Sequence, residues 1–269
     1  MLIIGEKINA SNKSVGQAIA NRDQAFLQNL AIAQSEAGAD FIDLNVGVGQ
    51  DARGNASGIM EWLVDLVQDA CNKPLCIDSD DPKVVEAALR KYQGESVMIN
   101  SVNAEPERLE SIGRLAAERH ALLIALVMGE AGIPKSVEER LDAADFMMDR
   151  LRRMGVKEDH IFFDPLVLPI SVDTTQGMVT LQTIERIKSR YPSAKTVMGL
   201  SNISYGLPNR GMVNRVFMLM SASAGLDAAI LDPLDARMMG LIKVADMLTG
   251  KDPACRGYIR AYRSGKLAE

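Results

Sequence analysis

Eight times along the chain, a short run of aliphatic and β-branched residues is followed by a longer stretch whose apolar residues recur every three to four positions. The first pattern makes strands buried on both faces, and the second makes helices with one apolar stripe. Strands are expected at residues 2–5, 40–46, 75–78, 97–100, 122–128, 160–164, 196–200 and 228–232. Helices are expected at 24–37, 58–71, 82–92, 107–119, 137–154, 178–190, 212–224 and 235–248. Ser136 and Glu139 have the spacing of a capping box at the start of the fifth of these helices. Eight strand-then-helix units most simply close on themselves as an α/β architecture, a (β/α)8 TIM barrel, with an open doubly wound sheet as the rival. A length of 269 residues suits one such barrel, and no Pro/Gly/Ser-rich or charge-run segment divides it, so 1–269 reads as a single domain.

The formal net charge of −5 argues against general binding to nucleic acid or to an anionic membrane surface, both of which need a basic face. The longest apolar run, 121–128, is too short to span a bilayer, and the opening MLIIGEKIN lacks the parts of a signal peptide. A cytoplasmic location is expected. In a reducing compartment Cys71, Cys76 and Cys255 read as small hydrophobes rather than a disulfide framework. No Cys/His cluster has zinc-site spacing, so no bound metal is expected. The glycosylation-like triplets at Asn12, Asn55 and Asn202 carry no meaning without secretion.

In barrels of this kind the chemistry sits at the C-terminal ends of the strands. Those ends carry Glu6 and Asn9, Asp43 and Asn45, Asp78, Asn100, Asp164, Ser201 and Asn202, and Asp232. They are carboxylates and amides, with Lys7 as the one nearby cation. His120, His160 and Lys195 fall at strand starts, which argues against a histidine base or a Schiff-base lysine on strand seven. Residues 47–52 match the dinucleotide pattern G-x-G-x-x-A, but six further residues, 53–58, separate them from the next helix, so they read as a loop. Asp78 and Asp164, taken singly, fit turn-forming aspartates. Taken with the amides, they form a ring of acceptors suited to a divalent metal or to a neutral heterocycle rich in N–H donors. The amides Asn45, Asn100 and Asn202 favour the heterocycle. A pterin is one, with a 2-amino group and an N3–H that a buried carboxylate accepts together.

Six motifs in order, GEKIN at 5–9, DLNVG at 43–47, LCIDS at 75–79, MINS-x-NAE at 98–105, DPLVLP at 164–169 and GLSN-x-S at 199–204, are followed by GLDAAI-x-D at 225–232. Together they resemble the methyltetrahydrofolate:corrinoid protein methyltransferases, pterin-binding barrels similar to the folate domain of cobalamin-dependent methionine synthase. The resemblance implies an enzyme that exchanges a methyl group between N5 of 5-methyltetrahydrofolate and the cobalt of a cobalamin (corrinoid) carried by a separate corrinoid protein, in either direction. It implies pterin contacts from Asp78, Asn100 and Asp164, and an Asn202 side chain that reaches N5 as the C–N bond changes. Gly199 and Ser201 shape the same loop; Asn9, Asp43 and Asn45 hold waters or support the contact residues, with Asp43 or Asp78 relaying a proton. A homodimer is also implied, for which 216–220, reading Val-Phe-Met-Leu-Met, offers an apolar helix face. Dihydropteroate synthase shares the crown but ends in a Ser-x-Arg-x-His motif, which is absent after Asp232. A complete methionine synthase is excluded by the lack of a D-x-H-x-x-G corrinoid motif around His160. A metal-dependent lyase and a non-catalytic folate-binding module are the alternatives from other classes.

Overall fold

The computed structural model describes residues 1–47, 55–130 and 132–267. Eight parallel strands close into a barrel in sequence order, so the open-sheet alternative falls. They are β1 (Leu2–Asn9), β2 (Phe41–Asn45), β3 (Leu75–Asp78), β4 (Val97–Val102), β5 (Leu122–Leu126), β6 (Ile161–Asp164), β7 (Lys195–Gly199) and β8 (Ala228–Leu231). Around them run α1 (Lys13–Ala20), α2 (Gln24–Ala37), α3 (Ala56–Ala70), α4 (Pro82–Lys91), α5 (Pro106–Glu118), α6 (Val137–Arg153), α7 (Gln176–Arg190), α8 (Arg210–Ser223), α9 (Ala236–Leu248) and α10 (Arg256–Arg263). None of the described helices is long and apolar enough to cross a membrane.

The helix starts are chemically marked. Ser136 and Glu139 form the expected capping box on α6, and Asp23, Asp81 and Asp235 accept backbone N–H bonds at the starts of α2, α4 and α9. Pro82 and Pro106 occupy the first turns of α4 and α5, where a missing N–H costs nothing. Two helices, α1 and α10, lie outside the expected set. Both are eight residues long, too short for a periodic apolar stripe to stand out.

Strand β1 is also longer than expected. It passes Gly5 and keeps pairing with β2 at Ile8 and Asn9 after a register shift. The reason is local. A Cβ on Gly5 would sit 2.5 Å from Oε1 of Gln34, a fully buried side chain on α2 that accepts the backbone N–H of Lys7 at 2.9 Å. The bulge therefore finds a partner for the N–H that the ladder loses.

Side chains alternate across each strand. Outward residues such as Ile42, Leu44, Ile77, Leu123 and Phe163 pack under the helices in one continuous core. Inward, one buried residue from each strand fills the barrel: Ile4, Phe41, Cys76, Met98, Ile124, Phe162, Val197 and Ala228. This octet is the floor on which the site stands.

Candidate active site

Two residues further along each strand, alternation brings the next inward position to the mouth: Glu6, Asp43, Asp78, Asn100, Leu126, Asp164, Gly199 and Ile230. Strand register sets their heights. Asn9 pairs with Asn45, Asn45 with Asp78 and Asp78 with Asn100, so amide, amide, carboxylate and amide lie in one row across β1 to β4. Asp43 lies one inward step below, level with Cys76. Asp164 is level with Leu126, and Gly199 with Ile230.

The row is wired by hydrogen bonds. Asn45 Nδ2 donates to Asp78 Oδ2 at 2.7 Å, while Asn45 Oδ1 accepts the Gly47 N–H at 2.7 Å. Asn100 Nδ2 donates to Asp43 Oδ1 at 3.3 Å. Burial pushes the Asp43 carboxyl well above the usual range, and the neighbouring Asp78 charge adds to it. Burial also raises Asp78, against the opposing bond from Asn45. Both carboxyls are thereby biased toward the protonated form. Asn9 Oδ1 accepts the Ser11 N–H at 2.9 Å and so shapes the turn after β1.

Asp164 stands apart, accepting the Leu166 N–H at 2.8 Å and a bond from the Gly199 N–H. Burial still pushes its pKa up to about 6. The segment after β7 winds into a 3-10 turn, Leu200–Ser204, that carries Ser201 and Asn202 over the mouth. Glu6 Oε1 accepts the Ser201 hydroxyl at 3.3 Å; Arg210 donates to the Ser201 carbonyl at 2.6 Å and to Ser204 Oγ at 3.0 Å. The Asn202 side chain is exposed and has no hydrogen-bond partner among the described residues, so it does not cap its own turn. A Cβ on Gly199 would meet Asn202 Nδ2 at 3.9 Å, an ordinary contact, which places that amide beside the end of β7. Lys7 is tied to Asp232 at 2.8 Å across the β1 and β8 ends. A cavity of about 430 Å³ opens beside Asn45 and Asp78, with Ser11, Gly47, Ser79 and Asp80 also in its wall.

The structure thus gathers Asn9, Asp43, Asn45, Asp78, Asn100, Asp164, Gly199, Ser201 and Asn202 at one end of the barrel. His120 and His160 precede β5 and β6 at the other end, and Lys195 opens β7 there. Of the dinucleotide-like stretch 47–52, only Gly47 lies within the described residues. Among the described residues no three His, Cys, Asp or Glu side chains gather as a metal site. Sequence reasoning placed Glu6 at the end of strand one without giving it a role, and missed Arg108, Arg140 and Arg210. These arginines come from helices, and nothing in a helical pattern marks which one turns toward a strand end.

Residues 5–232, from the first crown motif to Asp232, match the family described as pterin binding enzyme. The chain belongs to the pterin-binding enzyme family. Among curated relatives, the methylcorrinoid:tetrahydrofolate methyltransferase of Eubacterium limosum is 36% identical over 99% of this chain and 98% of its own. The methionine synthase of Mycobacterium tuberculosis is 32% identical over 86% of this chain, which spans only 20% of that longer protein. Among solved structures, a dihydropteroate synthase from Coxiella burnetii in complex with pteroic acid superposes with a TM-score of 0.66 at 13% identity, covering 83% of this chain and 85% of its own. That last likeness speaks for the pterin-binding barrel as a fold and not for the reaction.

Proposed function

We propose that this pterin-binding enzyme transfers a methyl group between N5 of tetrahydrofolate and the corrinoid of a separate protein, running from methylcorrinoid to tetrahydrofolate. The observation that carries the reading is the mouth itself: buried carboxylates, strand-borne amides and one unbonded asparagine above them. The near full-length relative, named for transfer in that direction, supports the choice of reaction and direction.

In this reading Asp164 and Asp78 accept the pterin's N–H donors, and Asn100 serves its ring acceptors. Asn202, free of other partners, faces N5. As the N5–C bond forms, the cobalt–carbon bond breaks with its electron pair left on the metal, and the N5 proton must leave. Asp43 and Asp78, whose pKa values burial raises, take that proton through water when ionised; in reverse their protonated forms return it. Asn202 supplies a hydrogen bond whose strength changes with the charge on N5, which lowers the barrier without a strong acid in the site. Asn9 and Asn45 hold the surrounding turn and carboxylate in place.

Mixing the chain with methylcobalamin and tetrahydrofolate, and following the cobalt spectrum, tests the proposal. Conversion to Co(I) with formation of 5-methyltetrahydrofolate is expected. Folate binding without any turnover, on either free cobalamin or a corrinoid protein, would instead make the chain a folate-binding module.

The proposal extends to a cytoplasmic homodimer. The three cysteines are unpaired, as a reducing compartment keeps them. Exposed Met178, Met212, Val216 and Met220 line an apolar groove of about 420 Å³ between α7 and α8. A contiguous apolar face of this kind suits a second copy of the chain. Light scattering should give twice the 29.2 kDa chain mass, and Val216→Asp should return it to the monomer value.

A further inference from the structure

Arg140 lies in the first turn of α6 and is 0% exposed. Among the described residues its guanidinium makes no contact ion pair; its bonds all go to neutral groups. Nη1 donates to the Pro165 carbonyl at 2.9 Å and to Thr180 Oγ1 at 3.3 Å, and Nη2 donates to Gln176 Oε1 at 2.7 Å. Gln176 passes the contact on to the Lys135 carbonyl and to Asp173. Burying a cation against neutral partners is unfavourable, and burial pulls the Arg140 pKa down to about 10 against the pull of nearby carboxylates.

The carboxylate that favours its charge most is Asp164, the residue immediately before Pro165, with Glu139 second. The relation is mutual. Burial disfavours the Asp164 anion, and three groups favour it: the Leu166 N–H, the Arg140 guanidinium and the Gly199 N–H. On β5 the register places Leu126 level with it, and on β7 the register set by Phe162–Lys195 and Phe163–Thr196 continues to Val197, neither charged. Arg140 is thus the cation that bears on Asp164 from α6, and its fork grips the main chain next to it.

We infer that Arg140 is a positioning residue of the folate site: its fork fixes the segment after Asp164, and its charge keeps that carboxylate the anionic acceptor a pterin's paired N–H donors require. This rests on the reading of Asp164 as a pterin contact. Nothing in the transfer chemistry uses Arg140 directly.

The test is calorimetric titration with tetrahydrofolate from about pH 5 to about pH 8 on wild type, Arg140→Gln, Arg140→Lys and Asp164→Asn, with circular dichroism as a fold check. Wild-type affinity should fall as pH drops through about 6. In Arg140→Gln the midpoint should rise by about one pH unit, the low end for losing a nearby opposite charge. Arg140→Lys keeps the charge and loses the fork, so its midpoint should stay with wild type while affinity falls by about tenfold. A folded Arg140→Gln with the wild-type midpoint overturns the inference. Should that variant not fold, Arg140→Lys decides: wild-type affinity, or a raised midpoint, overturns it. Asp164→Asn separates the two readings. If it binds folate normally with unchanged pH dependence, the folate role of Asp164 fails. If it loses both while Arg140→Gln keeps the wild-type midpoint, the role of Arg140 alone fails.

Discussion

Replacing Asp164 by Asn should make the ligand-free chain more stable at neutral pH while weakening its hold on folate. The carboxyl is lifted from 3.8 to about 6 in the folded chain, chiefly by burial. Between those values the folded chain binds a proton that the unfolded chain has released, so stability falls as pH rises through that window and stays lower above it. At about 1.4 kcal/mol for each pH unit, the anion costs the fold about 3 kcal/mol above pH 6. Asn removes that cost but is a weaker acceptor for the Leu166 and Gly199 N–H groups, which returns about 1 kcal/mol. A net gain of about 2 kcal/mol is expected at neutral pH, shrinking to nothing or reversing near pH 4. Tetrahydrofolate affinity should drop by about 30-fold or more, the equivalent of about 2 kcal/mol for a lost charged acceptor. Urea unfolding at both pH values, with calorimetry at neutral pH, measures each part. A variant equally destabilised at both pH values, with normal folate binding, would refute both the electrostatic cost and its functional return.

Asn202→Ala should slow single-turnover methyl transfer by about 10-fold to 1000-fold, the scale for one preorganised donor. Its melting temperature should not change, because the side chain bonds nothing in its own turn, and folate affinity should fall less than in Asp164→Ala. Asn45→Ala removes the amide that favours the Asp78 anion, so the pKa of Asp78 should rise further. The acid limb of the pH profile for transfer should move to higher pH, read from initial rates across the pH range. Gly5→Ala would force a Cβ to within 2.5 Å of Gln34 Oε1 and should cost about 1–3 kcal/mol of stability by denaturant unfolding.

The barrel was legible because parallel strands covered on both sides read as uninterrupted aliphatic runs, as at Leu75–Asp78, where expected and observed bounds agree. The crown was legible for the complementary reason: Asp78, Asn100 and Asp164 break such runs at their C-terminal ends, where a merely structural strand would continue apolar. Strand β1 was cut short at Gly5 because Glu6 and Lys7 look like a strand's end. Only the bulge held by Gln34, a contact from 27 residues away, carries the pairing on to Asn9. Arg140 was hidden for a similar reason. An arginine after two glutamates in a first turn reads as a solvated face, and its burial depends on Pro165 and Gln176, which the local pattern does not contain.

The buried octet beneath the crown also orders traffic. Side chains from all eight strands fill the barrel beneath the crown, so a pterin enters and leaves by the mouth, the same opening a bulky methyl carrier has to cover in the proposed reaction. Two substrates that share one doorway, one small and deep and the other large and superficial, cannot come and go independently. In the proposed reaction the folate should therefore be seated before the carrier docks and released after it departs, an order that steady-state kinetics with both substrates varied would reveal. A carrier held too long on the empty barrel acts as a stopper, so excess corrinoid protein inhibits and folate relieves the inhibition.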